Sequence, residues 1–252
     1  MPRGLPGGGR IDAALGSQGR ERSMTPRELL ATAIVPGGGE ELHLYSRGGD
    51  FMILLDRAEL MSTRMTGSEE ALAVMTCERL GKRPRQRQGP HLLIGGYGMG
   101  FTLRAALAAL DQNARITVVE LVPEIIDWAR GPMATLMAGC LDDPRVTLVQ
   151  GDVGAVIAGA SSAYDAILLD VDNGPDGLTR TDNNRLYSVR GLAAAKRALA
   201  PGGVLAIWSA APDPVFVRRL ASSGFRTEEV VVRARSNGKG PRHVIWFATP
   251  AD

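Results

Sequence analysis

Four stretches of this 252-residue chain end apolar runs in groups able to do chemistry. In "LLIGGYGMGFTL", Gly96, Gly98 and Gly100 alternate where an apolar strand meets a helical segment. Glycine lets the backbone turn sharply there, and lets a ligand approach with no Cβ in the way. The spacing is G-x-G-x-G rather than the dinucleotide G-x-G-x-x-G, because Phe101 stands where a third glycine would follow from Gly96. Glu120 closes the next strand, "ITVVE", 20 residues beyond Gly100, where a carboxylate can accept both hydroxyls of a ribose. Its competing use is to cap the helix that starts near Pro123. Asp152, in "VQGDVGAVI", ends the following strand and either accepts from the exocyclic amine of an adenine or caps a helix, two roles that can coexist.

The fourth stretch is "ILLDVDNGPDG", in which Asp170, Asp172 and Asp176 crowd around Asn173 at the end of an apolar run. Unpaired carboxylates are costly to bury, so this loop is either solvated surface or faces something cationic. It is not a calcium loop. Pro175 occupies the position that requires glycine, and Thr181 that of the closing Glu.

The elements that must position these groups follow from hydrophobic periodicity. Residues 1–23 are rich in Gly, Pro and Arg without apolar periodicity and are expected to form a disordered tail. "MTPRELLATAIV" carries the signals of a capping box, with Thr25 as N-cap, Pro26 at the first helical position and Glu28 three residues after the cap, and predicts a helix. Met24 directly before it is the expected natural start, an expectation that native peptides from upstream of Met24 would refute. "ELHLYSRGGDFMILLD" predicts two strands joined by a hairpin, and "GSEEALAVMTCERL" a helix with Ser68 as candidate cap. The run "GKRPRQRQGP" reads as a solvated basic linker, with phosphate binding the sharper alternative. Units of 24–85, a helix and hairpin, and 86–252, a catalytic domain, result.

Beyond Pro90, strands ("HLLIGG", "RITVVE", "RVTLVQGD", "YDAILLD", "GGVLAIWS") are separated by helical segments. That alternation predicts an α/β unit with a largely parallel sheet covered on both faces. The last residues, "TEEVVVRARSNGKGPRHVIWFATP", predict an antiparallel hairpin.

With 29 basic and 27 acidic residues the net charge is only +2, which offers no overall field for nucleic acid or a membrane surface. His43, His91 and His243 show no ligand spacing and Cys77 and Cys140 form no C-x-x-C, so no metal site is expected and the thiols are expected to be reduced. No apolar run reaches the roughly 20 residues of a spanning helix. The N-terminus lacks the apolar core of a secretory signal, which makes the cytoplasm the expected location.

Three strand ends converging on one nucleoside are more specific than any one of them. The region from His91 onward resembles the Rossmann-like fold of AdoMet-dependent methyltransferases. Within it "GGYGMG", "VVELVPEIIDWAR", "LDDPRVTLVQGD" and "YDAILLDVDNGP" are similar to the spermidine synthase family of polyamine aminopropyltransferases. The resemblance implies a doubly wound, mostly parallel seven-stranded sheet with a C-terminal antiparallel hairpin, preceded by a small β-hairpin unit through which relatives form dimers. It implies that Gly96, Gly98 and Gly100 admit an adenosyl sulfonium, that Glu120 and Asp152 hold its nucleoside, and that Asp170 serves an attacking amine. Asp172, Asn173, Tyr187 and Glu69 are candidates for the acceptor pocket.

Two departures from the family matter. Gly98 stands where its members carry Asp in G-G-G-D-G-G, an acid that binds the amine of decarboxylated S-adenosylmethionine and repels a donor that keeps its carboxylate. Leu72 and Ala73 lie near the positions of a polyamine-holding Tyr-His pair. The expectation is therefore a transferase that uses S-adenosyl-L-methionine to methylate a small amine. The alternatives are aminopropyl transfer from decarboxylated S-adenosylmethionine to putrescine or another polyamine, and a non-catalytic nucleoside-binding scaffold.

Overall fold

The structure, a computed structural model, describes residues 26–81, 89–137, 139–171 and 183–251. The tail of residues 1–23, most of the basic linker and the acidic loop that holds Asp172 and Asn173 lie outside the described residues.

The described residues form two sheets. The smaller is an antiparallel meander of β1 (Glu28–Ile34), β2 (Glu41–Arg47), β3 (Asp50–Leu55) and β4 (Ala58–Ser62). Here one expectation fails. The segment with the capping-box signals is the edge strand β1, paired from Glu28 opposite Ser46 to Ile34 opposite Glu41 with a bulge between Leu29 and Ala31. A helix of that length is marginal by itself, whereas pairing with β2 satisfies its backbone groups, so tertiary structure overrides the local signal. β4 was not anticipated. The hairpin β2–β3 is as expected, with Arg47 opposite Asp50 at its turn.

Helix α1 (Gly67–Gly81) follows, and Ser68 lies inside it rather than at its cap. Although the sequence grouped α1 with the hairpin, it packs on the large sheet. The Arg79 guanidinium sits 3.6 Å from the Phe247 ring centroid and bonds Glu228 at 2.7 Å.

The large sheet has seven strands in the order β10–β11–β9–β8–β5–β6–β7. Five are parallel, namely β5 (His91–Gly95), β6 (Arg115–Glu120), β7 (Val146–Gln150), β8 (Tyr164–Leu169) and β9 (Leu199–Ser209). β10 (Phe225–Arg233) and β11 (Arg242–Pro250) form the antiparallel hairpin that ends the chain. The helices are α2 (Phe101–Ala109), α3 (Pro123–Arg130), α4 (Ala134–Met137), α5 (Val153–Gly159), α6 (Asn183–Leu186), α7 (Val189–Ala198) and α8 (Pro214–Ser222), with a 3-10 turn at Cys140–Asp142.

Side chains alternate across a strand, so a sheet buried on both faces needs two cores. Leu92, Ile94, Ile116, Val118 and Leu168 point into one, shared with α1, α2 and α3. Leu93, Val119, Ile167, Leu169, Leu205 and Ile207 point into the other, under α5, α7 and α8. The chain runs outward from β5 in both directions, to β6–β7 on one side and β8–β9 on the other. A crevice therefore opens at the carboxyl ends of the strands beside β5, where such sheets bind ligands. Cys77 and Cys140 are both free thiols, and burial pushes Cys77 up to about 11.

Candidate active site

The Gly-rich loop leaves β5 at this crevice. Gly96, Gly98 and Gly100 all have positive φ, at 86°, 55° and 83°. At Gly96 glycine is required twice over, since a Cβ in this left-handed conformation would also strike the backbone carbonyl of Asp170. The loop is pinned from both sides, because Gly96 N–H donates to Val119 O at 2.9 Å and Asp170 N–H donates to Gly95 O at 3.0 Å.

Glu120 is buried at the end of β6, and its carboxylate organises the loop. Oε2 accepts from Tyr97 N–H at 2.8 Å and Gly98 N–H at 3.5 Å, and Oε1 accepts from Val122 N–H at 2.9 Å. Burial pushes this carboxyl above its usual range, and the backbone N–H groups of Val122, Tyr97, Gly98 and Leu121 oppose the rise. Asp152 caps α5, its Oδ1 accepting from Gly154 N–H at 2.7 Å, and also lines the crevice, so the two uses foreseen for it are geometrically compatible.

Asp170 follows β8, and Thr102 Oγ1, in the first turn of α2, donates to its Oδ2 at 2.7 Å. Desolvation pushes Asp170 up to about 6, against that hydrogen bond. Glu69 lies close enough for Asp170 and Glu70 to add to the effect of its own burial, and its carboxyl stands well above the ordinary range. Glu69 Oε2 is buried without a hydrogen-bond partner.

Gly96, Gly98, Glu69, Glu120, Asp152 and Asp170 line one cavity of about 350 Å³. Its roof is the small sheet, through Leu42, Ile53, Leu60 and Met61, and its far wall carries Ser68, Trp208 and His243. Two predicted residues are elsewhere. Gly100 begins α2 behind the wall, where an added Cβ would meet the Tyr97 hydroxyl and Met137, so its glycine serves the turn. Tyr187, directly after α6, is buried in the second core, its ring edge-on to Phe216 at 5.6 Å, and is not on the cavity wall. Leu72 and Ala73 are wholly buried.

Sequence reasoning missed Thr102, Ser68, Trp208 and His243. Thr102 had a faint signal, a hydroxyl in the first turn after the Gly-rich loop. Ser68 and His243 had none, since 175 residues separate them.

Six carboxylates line the cavity, those of Glu40, Glu59, Glu69, Glu120, Asp152 and Asp170, and no Lys or Arg is among the described residues of its wall. Such a surface attracts cations and repels anions. No group of three His, Cys, Asp or Glu side chains able to hold a metal ion occurs among the described residues.

The fold and the placement of these groups define a Rossmann-like α/β protein with a ligand crevice at the strand ends. The sequence matches the spermine/spermidine synthase domain over residues 80–218, more than half of the chain, and the protein belongs to that family. Polyamine aminopropyltransferase 1 of Streptomyces coelicolor is 36% identical over 160 residues, covering 60% of this chain and 29% of that protein. Putrescine N-methyltransferase 4 of Nicotiana tabacum is 37% identical over 172 residues, 68% of this chain and 40% of that one. The chain thus spans well under half the length of these curated relatives. The spermidine synthase structure from Thermotoga maritima superposes with a TM-score of 0.67 at 18% identity, covering 88% of this chain and 72% of its own, which attests the fold.

Proposed function

We propose that this protein transfers an aminopropyl group from decarboxylated S-adenosylmethionine to a small diamine or polyamine. The observation that carries this reading is the cavity wall of six carboxylates without a described Lys or Arg. The decarboxylated donor brings two positive charges and no carboxylate, and the acceptor is a cation too. S-adenosylmethionine would bring a carboxylate into an acidic cleft, and such like-charge juxtaposition costs several kcal/mol. The residues present fit both substrates, since Glu120 and Asp152 suit the donor's nucleoside and the unpartnered Glu69 Oε2 suits an ammonium of the acceptor.

When bound, the sulfonium supplies an electrophilic carbon whose bond to sulfur breaks as the amine nitrogen attaches. Asp170 answers for the amine. At pH 7 an alkylammonium of pKa about 10.4 must lose a proton before it can attack, at a cost of about 4 to 5 kcal/mol. Thr102 holds Oδ2, which leaves Oδ1 to accept that proton. The same charge steadies a cation about 4 Å away by about 4 kcal/mol at an effective dielectric near 20.

The sequence favoured methyl transfer, and one observation keeps it as the second reading. Gly98 lacks the carboxylate that the family uses against S-adenosylmethionine, and Met61 packs where its side chain would start. The tobacco relative's name accords with it. The names of the aminopropyltransferase relatives and the acidic wall favour the first. Calorimetry with both donors decides between them: the decarboxylated form is expected to bind at least about tenfold tighter, a difference of about 1.4 kcal/mol. A preference for S-adenosylmethionine, with methyl transfer to a diamine, would replace the first reading by the second.

The proposal includes a homodimer in the cytoplasm. A sedimentation mass of one chain at micromolar concentration would refute the dimer. No helix among the described residues is long and apolar enough to cross a membrane.

A further inference from the structure

His243, which shows no ligand spacing in the sequence, stands on the wall of the acidic cavity. Its Nδ1 lies 2.9 Å from Ser68 Oγ, a hydroxyl on a residue only 1% exposed, and its ring meets the Trp208 indole edge-on at 4.8 Å. These contacts fix the imidazole plane. No hydrogen bond reaches Nε2 among the described residues, and desolvation lowers the pKa of the ring, which favours the neutral form. The hydrogen bond made by one ring nitrogen sets the state of the other. Ser68 Oγ can donate or accept, so the tautomer belongs to the proposal below: the form with Nδ1–H donating to Ser68 Oγ leaves a lone pair on Nε2.

Its distance from Asp170 is set by the sheet. β8, β9 and β11 are consecutive neighbours, and Leu169 opposite Ile207 and Trp208 opposite Ile245 put His243 two residues further along β11 than the level of Asp170, so the two stand about 12 Å apart across the rim. α1 bridges the gap, with Ser68 bonded to His243 and the next residue, Glu69, facing Asp170. Three buried polar atoms on residues of the cavity wall, Glu40 Oε2, Glu69 Oε2 and Trp208 Nε1, have no partner, and the last two lie on the side of α1 and β9, which points to a ligand that completes it.

We propose that His243, oriented by Ser68, is a specificity-determining residue that accepts a hydrogen bond from the second, non-reacting nitrogen of the acceptor, so that the site selects diamines over monoamines. This rests on the reading that the cavity takes an amine acceptor. An acceptor with one nitrogen at Asp170 and Glu69 runs along α1 towards His243. A diamine reaches both ends, while a monoamine of equal length leaves an apolar methyl at Nε2. A buried acceptor site that goes unpaired discriminates strongly against the ligand that cannot pair it.

The test measures binding of 1,4-diaminobutane and of butylamine by calorimetry, and KM and kcat for both with the donor that the wild-type enzyme turns over. In His243→Ala the preference for the diamine is expected to fall about tenfold, through KM rather than kcat, and His243→Gln, whose amide oxygen can accept, is expected to restore part of it. Thermal melting reports whether each variant folds. An unchanged diamine preference in folded His243→Ala, or a loss confined to kcat, would overturn the proposal. Should the wild type bind diamine selectively but turn over neither donor, the proposed function fails while the role of His243 stands.

Discussion

Asp170→Asn is expected to lower kcat by about 10²- to 10⁴-fold, the range for removal of a positioned general base, while donor binding changes far less. Asn keeps the size and an acceptor for the Thr102 hydroxyl, so the loss reads charge and basicity rather than packing. The pH profile supplies a second readout. On the proposed function the carboxylate form of Asp170 is the active one, and its carboxyl is raised to about 6, so wild-type kcat/KM should fall as pH drops through about 6. That acid limb should be absent from the residual rate of the variant.

Stability should move the opposite way. A carboxyl raised in the folded state binds more protons there than in the unfolded chain, so it costs stability as pH rises from its unfolded value towards its folded one. Asp170 and Glu69 both behave in this way. Asp170→Asn is therefore expected to raise Tm by about 2 to 6 °C at pH 7.5, with the gain vanishing below about pH 4, where both carboxyls are protonated in either state. A Tm lower than that of the wild type at pH 7.5 would count against a repulsive carboxylate pair. The site would then be stable by itself, with no need of a cation to relieve it.

Glu120→Ala carries the second large effect. It removes the acceptor of three backbone N–H groups, those of Tyr97, Gly98 and Val122, at a position 7% exposed. Each buried donor left unpaired costs about 1 to 3 kcal/mol, although water entering the emptied space recovers part. A net loss of about 2 to 5 kcal/mol is expected in chemical denaturation, together with loss of measurable binding of 5′-methylthioadenosine. Glu120→Gln separates the two. Its Oε1 can still accept from Val122 or Tyr97, but its NH₂ opposes the other N–H, so it should keep most of the stability and lose about 10- to 100-fold in nucleoside affinity. Were Glu120→Gln to bind the nucleoside as the wild type does, the carboxylate would be a loop anchor alone.

Much of this architecture was legible along the chain. The parallel strands from His91 to Ser209 and the closing hairpin announced themselves as apolar runs between helical segments, because a doubly covered sheet requires side chains suited to burial on both faces. Glu120, Asp152 and Asp170 were legible for a related reason. They break those runs at their carboxyl ends, and parallel pairing in register must carry them to one rim.

The small sheet shows where such reading stops. A capping box, a proline and a glutamate at helical spacing were outvoted by β2, a partner whose pairing no local pattern encodes. Tyr187, directly after the four-residue helix α6, went to the core instead of the pocket, since so short a helix carries no periodicity that tells which way the next side chain turns.

The sequence alone determined the family, the parallel sheet and the acids at its strand ends, because hydrophobic periodicity and strand termini are local properties. Tertiary structure decided what those acids face. It alone closed the cavity with the small sheet, gathered Glu40, Glu59 and Glu69 beside the strand-end carboxylates, and set His243 against Ser68. The physical reason is that charge density in a cleft sums over residues remote in the chain, so no stretch of sequence carries it.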